Sequence, residues 1–188
     1  MTIRSLAAAA SVVATFLTNT ALPCIGGEVT RDHTAPFAVA AVQGTAPNFA
    51  GISTWFNSAP LSMADLRGKV VLVDFWTYGC VNCVNTLPHV TELYAKYKDR
   101  GLVVVGVHTP EFPFERSASN VQAALKRHGI TYPVAQDNER QTWNAYRNQY
   151  WPAQYIVDQN GKIVFQHDGE GQYEQMDRTI ARLLNAAS

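Results

Sequence analysis

The feature that most constrains this chain is residues 69–83, KVVLVDFWTYGCVNC. A run of β-branched and aromatic residues there gives way to two cysteines, Cys80 and Cys83, separated by two residues. The apolar run is bounded by Gly68 and predicts a strand buried on both faces. A second run, LVVVGVH at residues 102–108, follows Gly101 and predicts another such strand. Between them Val84, Leu87, Val90, Leu93, Tyr94 and Tyr97 recur with helical spacing, so residues 81–100 are expected as a helix. Strand, helix and strand in that order imply parallel pairing through a right-handed crossover. The cysteines are thereby fixed at the strand-to-helix turn.

The remaining pattern completes an α/β domain. Trp55 and Phe56 mark a short first strand, and residues 61–68 a turn. A second helix is expected from Ser117 to His128, stopped by Gly129, and a short strand over residues 132–135. Asp137 or Asn138 is placed to cap another helix, reaching Asn148. Residues 154–158 and 162–166 flank Asn160-Gly161, a strong hairpin signal. A last helix over residues 172–185 presents Met176, Ile180, Leu183 and Leu184 on one face. The expected fold class is α/β, with a mixed central sheet: a parallel βαβ core, a C-terminal antiparallel hairpin, and flanking helices.

The first residues differ in kind. Arg4 precedes an apolar stretch at residues 6–17 (LAAAASVVATFL), followed by small residues. This is the layout of a secretory signal peptide, and the stretch is shorter than the ~20 apolar residues a membrane span needs. The expected division is a signal peptide over residues 1–26, a lead-in over 27–45 and the folded domain over 46–188. Cleavage is placed after Ala21 or near Gly26. Export to the periplasm or cell envelope follows. Anchoring through residues 6–17, or through a lipid on Cys24, is disfavoured; Pro23 ill suits a lipidation site. Formal net charge is zero, with 15 cations and 15 anions, so nothing in the composition calls for nucleic acid.

The two-residue spacing lets both sulfurs meet within the first helical turn. Unpaired N–H groups and the positive end of the helix dipole favour a thiolate on the first cysteine. Cys80 is then the nucleophile and Cys83 the resolving thiol, the pair cycling through a Cys80–Cys83 disulfide. A zinc site would need two more ligands, and the five histidines are scattered, so no metal is expected. A peroxidase would place a lone attacking cysteine in a Pro/Thr-rich loop. A purely structural disulfide stays open as the alternative.

These motifs carry a family resemblance. VDFW followed by CxxC resembles thioredoxin, over about residues 46–184. The resemblance implies that Asp74 is a buried carboxylate behind Cys83 that accepts its proton. It implies that Pro88 kinks the cysteine helix, and that Pro152, in WPAQ, is a cis-proline facing the cysteines. Trp151, Pro152, Tyr78 and Gly79 would then line the substrate groove. Gly79, Val81 and Asn82 depart from the ordinary thioredoxin motif. FWTYGCVNC, GVHTPEF (residues 106–112), TWNAYRNQYWPAQY (residues 142–155) and GEG (residues 169–171) are instead similar to the extracytoplasmic thioredoxin-like domain of DipZ-type proteins. Those are relatives of the TlpA/ResA reductases linked to cytochrome c maturation. Thr86 stands where many TlpA/ResA members carry a glutamate.

The resemblance implies a thiol:disulfide oxidoreductase acting on protein thiols and disulfides, without cofactor, and reset by a membrane electron-transfer partner. No cation or histidine lies between the cysteines, which points to a reductant. A disulfide-forming oxidant of the same fold, or a non-catalytic binding module with a stapled CxxC, are the alternatives. His108 and Glu111, after the second buried strand, are further candidates for the substrate surface.

Overall fold

The computed structural model describes residues 44–186. The expected signal segment, Cys24 and nearly all of the lead-in lie outside the described residues. Six strands and four helices follow one another as β1 (Thr54–Phe56), β2 (Val70–Trp76), α1 (Val81–Tyr97), β3 (Leu102–His108), α2 (Ala118–Arg127), β4 (Val134–Gln136), α3 (Gln141–Ala145), β5 (Ala153–Val157), β6 (Ile163–Asp168) and α4 (Tyr173–Asn185). Short 3-10 turns occupy Lys98–Arg100 and Pro113–Arg116. The sheet order is β1-β4-β3-β2-β5-β6. β2 runs parallel to β3 on one side and antiparallel to β5 on the other.

All seven residues of β2 are buried, as a continuous apolar run demands of a central strand covered on both faces. The steps from β2 to β3 and from β3 to β4 go the same way across the sheet. Right-handed crossovers therefore put α1 and α2 on one face, where α4 joins them. Leu72, Trp76 and Val104 pack there with Leu87, Val90, Leu125, Met176 and Ile180. On the other face Val73, Phe75, Val105 and Val107 pack with Phe49, Met63, Trp143 and Tyr146. Burying each such side chain contributes roughly 1.5–3 kcal/mol.

Three local expectations are corrected. The cysteine helix ends at Tyr97 and tightens to a 3-10 turn over its last three expected residues, stopped by Gly101 at φ 104°. The helix expected from Asp137 to Asn148 is only the five-residue α3. Left-handed backbone at Arg140 and Arg147 brackets it. Asp137 still serves its start, because its carboxylate accepts the N–H of Trp143 at 2.8 Å. Its own N–H, however, extends the sheet ladder to His108 (2.9 Å), which keeps it out of the helix. Thr45, assigned to the lead-in, already pairs with Lys162 beside the hairpin.

Candidate active site

The cysteines sit where β2 hands over to α1. The carbonyl of Trp76 accepts the N–H of Thr109, tying the end of β2 to the segment after β3 (3.0 Å). Cys80 is the N-cap of α1, with extended backbone, and its Sγ accepts the N–H of Cys83 at 3.2 Å. A first-turn donor that would otherwise be unpaired is thus aimed at the sulfur. Cys80 is half-buried and Cys83 is buried, and both thiols are unlinked. Burial pushes the Cys83 thiol well above its ordinary range, and the contact with Cys80 adds to this.

Asp74 lies on β2 between Leu72 and Trp76, on the face that α1 covers. It is 1% exposed. Gln154, its cross-strand partner on β5, donates from Nε2 to Oδ1 at 3.0 Å, and Oδ2 has no hydrogen-bond partner. Burial pushes the carboxyl up to about 7, with the Gln154 bond opposing. The Asp74 charge is one of the influences that raise Cys83, so the two groups sense each other.

The turn before Cys80 is held from the segment after β3. Tyr78 stacks on His108 (ring centroids 5.5 Å apart), and its hydroxyl donates to the carbonyl of Phe114 at 2.9 Å. The N–H of Gly79 donates to Glu115 Oε1 at 2.9 Å. Glu115 Oε2 accepts the N–H groups of Glu111 (2.7 Å) and Phe112 (2.8 Å). Glu115 is wholly buried. A Cβ on residue 79 would lie 2.4 Å from Glu115 Oε1, so only glycine admits the carboxylate.

His108 does not line a surface as expected, whereas Glu111 is exposed. His108 is wholly buried beneath the turn, its Nε2 3.3 Å from Thr77 Oγ1. Burial pushes it down to about 4, so it is neutral. Glu111 contributes a backbone N–H, and the functional carboxylate of this segment is Glu115. Its one local trace is an acid three residues after Phe112 with Pro113 between, a helix-start pattern that accounts for its hold on the Phe112 N–H but says nothing of Gly79.

The Trp151–Pro152 peptide is cis, as the resemblance implies. Pro152 is buried, and its carbonyl accepts the N–H of Gly169 at 2.7 Å. Trp151 Nε1 donates to the carbonyl of Thr109 at 3.0 Å, and its ring lies on Trp143 at 4.2 Å. Thr109 therefore joins the end of β2 to the segment before β5. Thr86, one turn after Cys83, has its hydroxyl 3.3 Å from that of Tyr173. A threonine partnered in this way offers no acid where the TlpA/ResA glutamate would stand.

Comparison with known proteins agrees with this geometry. The chain is similar to Protein DipZ of Mycobacterium tuberculosis (strain CDC 1551 / Oshkosh), 48% identical over 147 residues. That match covers 77% of this chain and 21% of the relative, so the chain spans about a fifth of DipZ. It is also similar to the thiol-disulfide oxidoreductase ResA of Bacillus anthracis, 29% identical over 138 residues, covering 73% of this chain and 76% of the relative. A thioredoxin-like protein solved in its oxidized form superposes with a TM-score of 0.70 at 27% identity, over 78% of this chain and 98% of that one. The AhpC/TSA family profile matches residues 42–166. This chain belongs to the AhpC/TSA family and has a thioredoxin-like fold.

Proposed function

We propose that this chain is an exported thiol:disulfide oxidoreductase that reduces disulfides of protein substrates with the Cys80/Cys83 dithiol. The observation that carries the reading is the unequal pair: a half-exposed Cys80 capping α1, and a buried Cys83 whose N–H is aimed at the Cys80 sulfur. Cys80 thiolate attacks one sulfur of a substrate disulfide, forms a mixed disulfide and releases the other sulfur as thiolate. Cys83 then loses its proton and attacks Cys80 Sγ. The Cys80–Cys83 disulfide forms, the second substrate sulfur leaves, and two electrons have passed to the substrate.

Cys83 needs a base because burial holds its proton tightly. Asp74, pushed up to about 7 and with one oxygen unpartnered, suits that task at neutral pH. In this reading Tyr78, Gly79, Trp151 and Pro152 would border the approach to Cys80. A membrane electron-transfer partner in the cell envelope would, in the same reading, return the pair to the dithiol. The reducing direction rests on the absence of any cation or histidine at residues 81–82.

The test is trapping. Cys83→Ser should accumulate a mixed disulfide with insulin through Cys80 on a non-reducing gel, and Cys80→Ser should trap nothing. Retained insulin reduction by Cys80→Ser would overturn the mechanism. Equilibration with glutathione tests direction: a potential nearer about −120 mV than about −270 mV would make the protein an oxidant.

A further inference from the structure

Large apolar side chains stand exposed at few points of the described residues: Val81 (69%), Phe114 (57%), Tyr150 (56%) and Phe112 (45%). Val81, Phe112 and Phe114 adjoin the cysteine turn. Val81 follows Cys80, Tyr150 precedes Trp151, and the two phenylalanines lie on the segment that Glu115 fastens to Gly79. The rings of Phe112 and Phe114 are parallel, 5.6 Å apart, and Phe114 lies 6.2 Å from the ring of Tyr78. Nothing in the packing requires aromatic side chains there, and exposed apolar surface gathered at one place marks an interaction site.

The pair is also rigidly mounted. The Phe112 N–H is held by Glu115, and the Phe114 carbonyl accepts from both Tyr78 Oη and Asn120 Nδ2. A fixed aromatic platform has little ordering entropy left to lose when it is covered.

We infer that Phe112 and Phe114 are specificity-determining residues, selecting substrate cystines flanked by aromatic or large aliphatic side chains. The inference rests on disulfide exchange at Cys80, and that chemistry also names the occupant. A substrate polypeptide joined to Cys80 in a mixed disulfide carries its neighbouring residues past Tyr78 at ~3.3 Å per residue. Residues one to three positions from the substrate cysteine therefore reach the platform. An extended polypeptide with apolar residues beside its cystine fits both the sulfur and the rings.

The experiment uses the full chain and two cyclic peptides that share one cystine, flanked by phenylalanine in one and by serine in the other. Wild type should reduce the phenylalanine peptide with a kcat/KM about tenfold higher, the difference lying in KM. In Phe112→Ser/Phe114→Ser this preference should fall to within about twofold of unity, and Phe112→Leu/Phe114→Leu should keep most of it. A preference near unity in wild type, or one unchanged in the serine variant, would overturn the assignment. So would a wild-type dimer that the serine variant breaks to monomers by sedimentation, since the platform would then serve self-association. Failure of wild type on both peptides would instead defeat the exchange reaction itself.

Discussion

Asp74 and Glu115 are both carboxylates buried beside the cysteine turn, yet the fold satisfies them in opposite ways. Asp74 projects from the central strand into an apolar layer and receives one hydrogen bond, from the Gln154 side chain. Glu115 sits on a short 3-10 turn and receives three, all from backbone N–H groups of two separate segments. Fixed backbone donors stabilise a charge and use the carboxylate as a fastener. Apolar burial with one oxygen unpartnered makes the charge costly and leaves the group able to exchange a proton near neutral pH. One acid fastens the turn, and the other is the one proposed to move the Cys83 proton.

Removing the fastener is the strongest test of this contrast. Glu115→Ala leaves three backbone donors without their acceptor, and each such loss costs about 1–3 kcal/mol. The variant is expected to lose at least about 3 kcal/mol, read as a lower urea midpoint, equal to a fall of roughly 6 °C or more in Tm. A loss under about 1 kcal/mol would mean that the Gly79 turn is held by something else.

Asp74→Asn should act in the opposite direction, and only above a pH threshold. The unfolded chain gives up this proton near the ordinary value of 3.8, the folded chain near 7. Below about pH 3 both states are protonated and the carboxylate makes no difference. As pH rises from there, the unfolded state ionises first, and stability falls until the folded group ionises as well. Above pH 7 the accumulated cost is roughly 4 kcal/mol. Asp74→Asn is therefore expected to be about 2–4 kcal/mol more stable than wild type at pH 8 and equal to it at about pH 3. It should also lose the rise in the rate of Cys83 resolution expected of wild type through about pH 7. Equal effects on stability at the two pH values would remove Asp74 from the proton-exchange role.

The sequence made the first of these acids legible and hid the second, for a physical reason. Asp74 interrupts a run of seven residues whose neighbours are all apolar, so strand period and burial cost single it out. The βαβ unit and the N-cap position of Cys80 were readable on the same grounds, because strand and helix periods are local. Glu115 was not, since its acceptor role depends on Gly79, 36 residues earlier, meeting it across the sheet edge. His108 was misread for a related reason. A strand-end histidine looks available from its own segment, and the rings of Tyr78 and Trp76 packed against it close it off. The short α3 shows the same limit: helical spacing continued to Asn148, but Asp137 was already committed to the β3 ladder through His108.

The smallest predicted effect tests the contact between the two segments from its other end. Gly79 has no left-handed backbone requirement, so an added methyl group is opposed only by what it meets. It meets Glu115 Oε1 at 2.4 Å, on a carboxylate that Glu111 and Phe112 hold from behind. The carboxylate cannot swing away without releasing those donors, so the turn itself must shift. Gly79→Ala is expected to cost about 1–3 kcal/mol in the wild-type background. In a Glu115→Ala background the same change should cost under about 0.5 kcal/mol, because its obstacle is gone. A double-mutant cycle in which the two losses simply add would show that Gly79 and Glu115 act independently, and would break the fastening role assigned to the carboxylate.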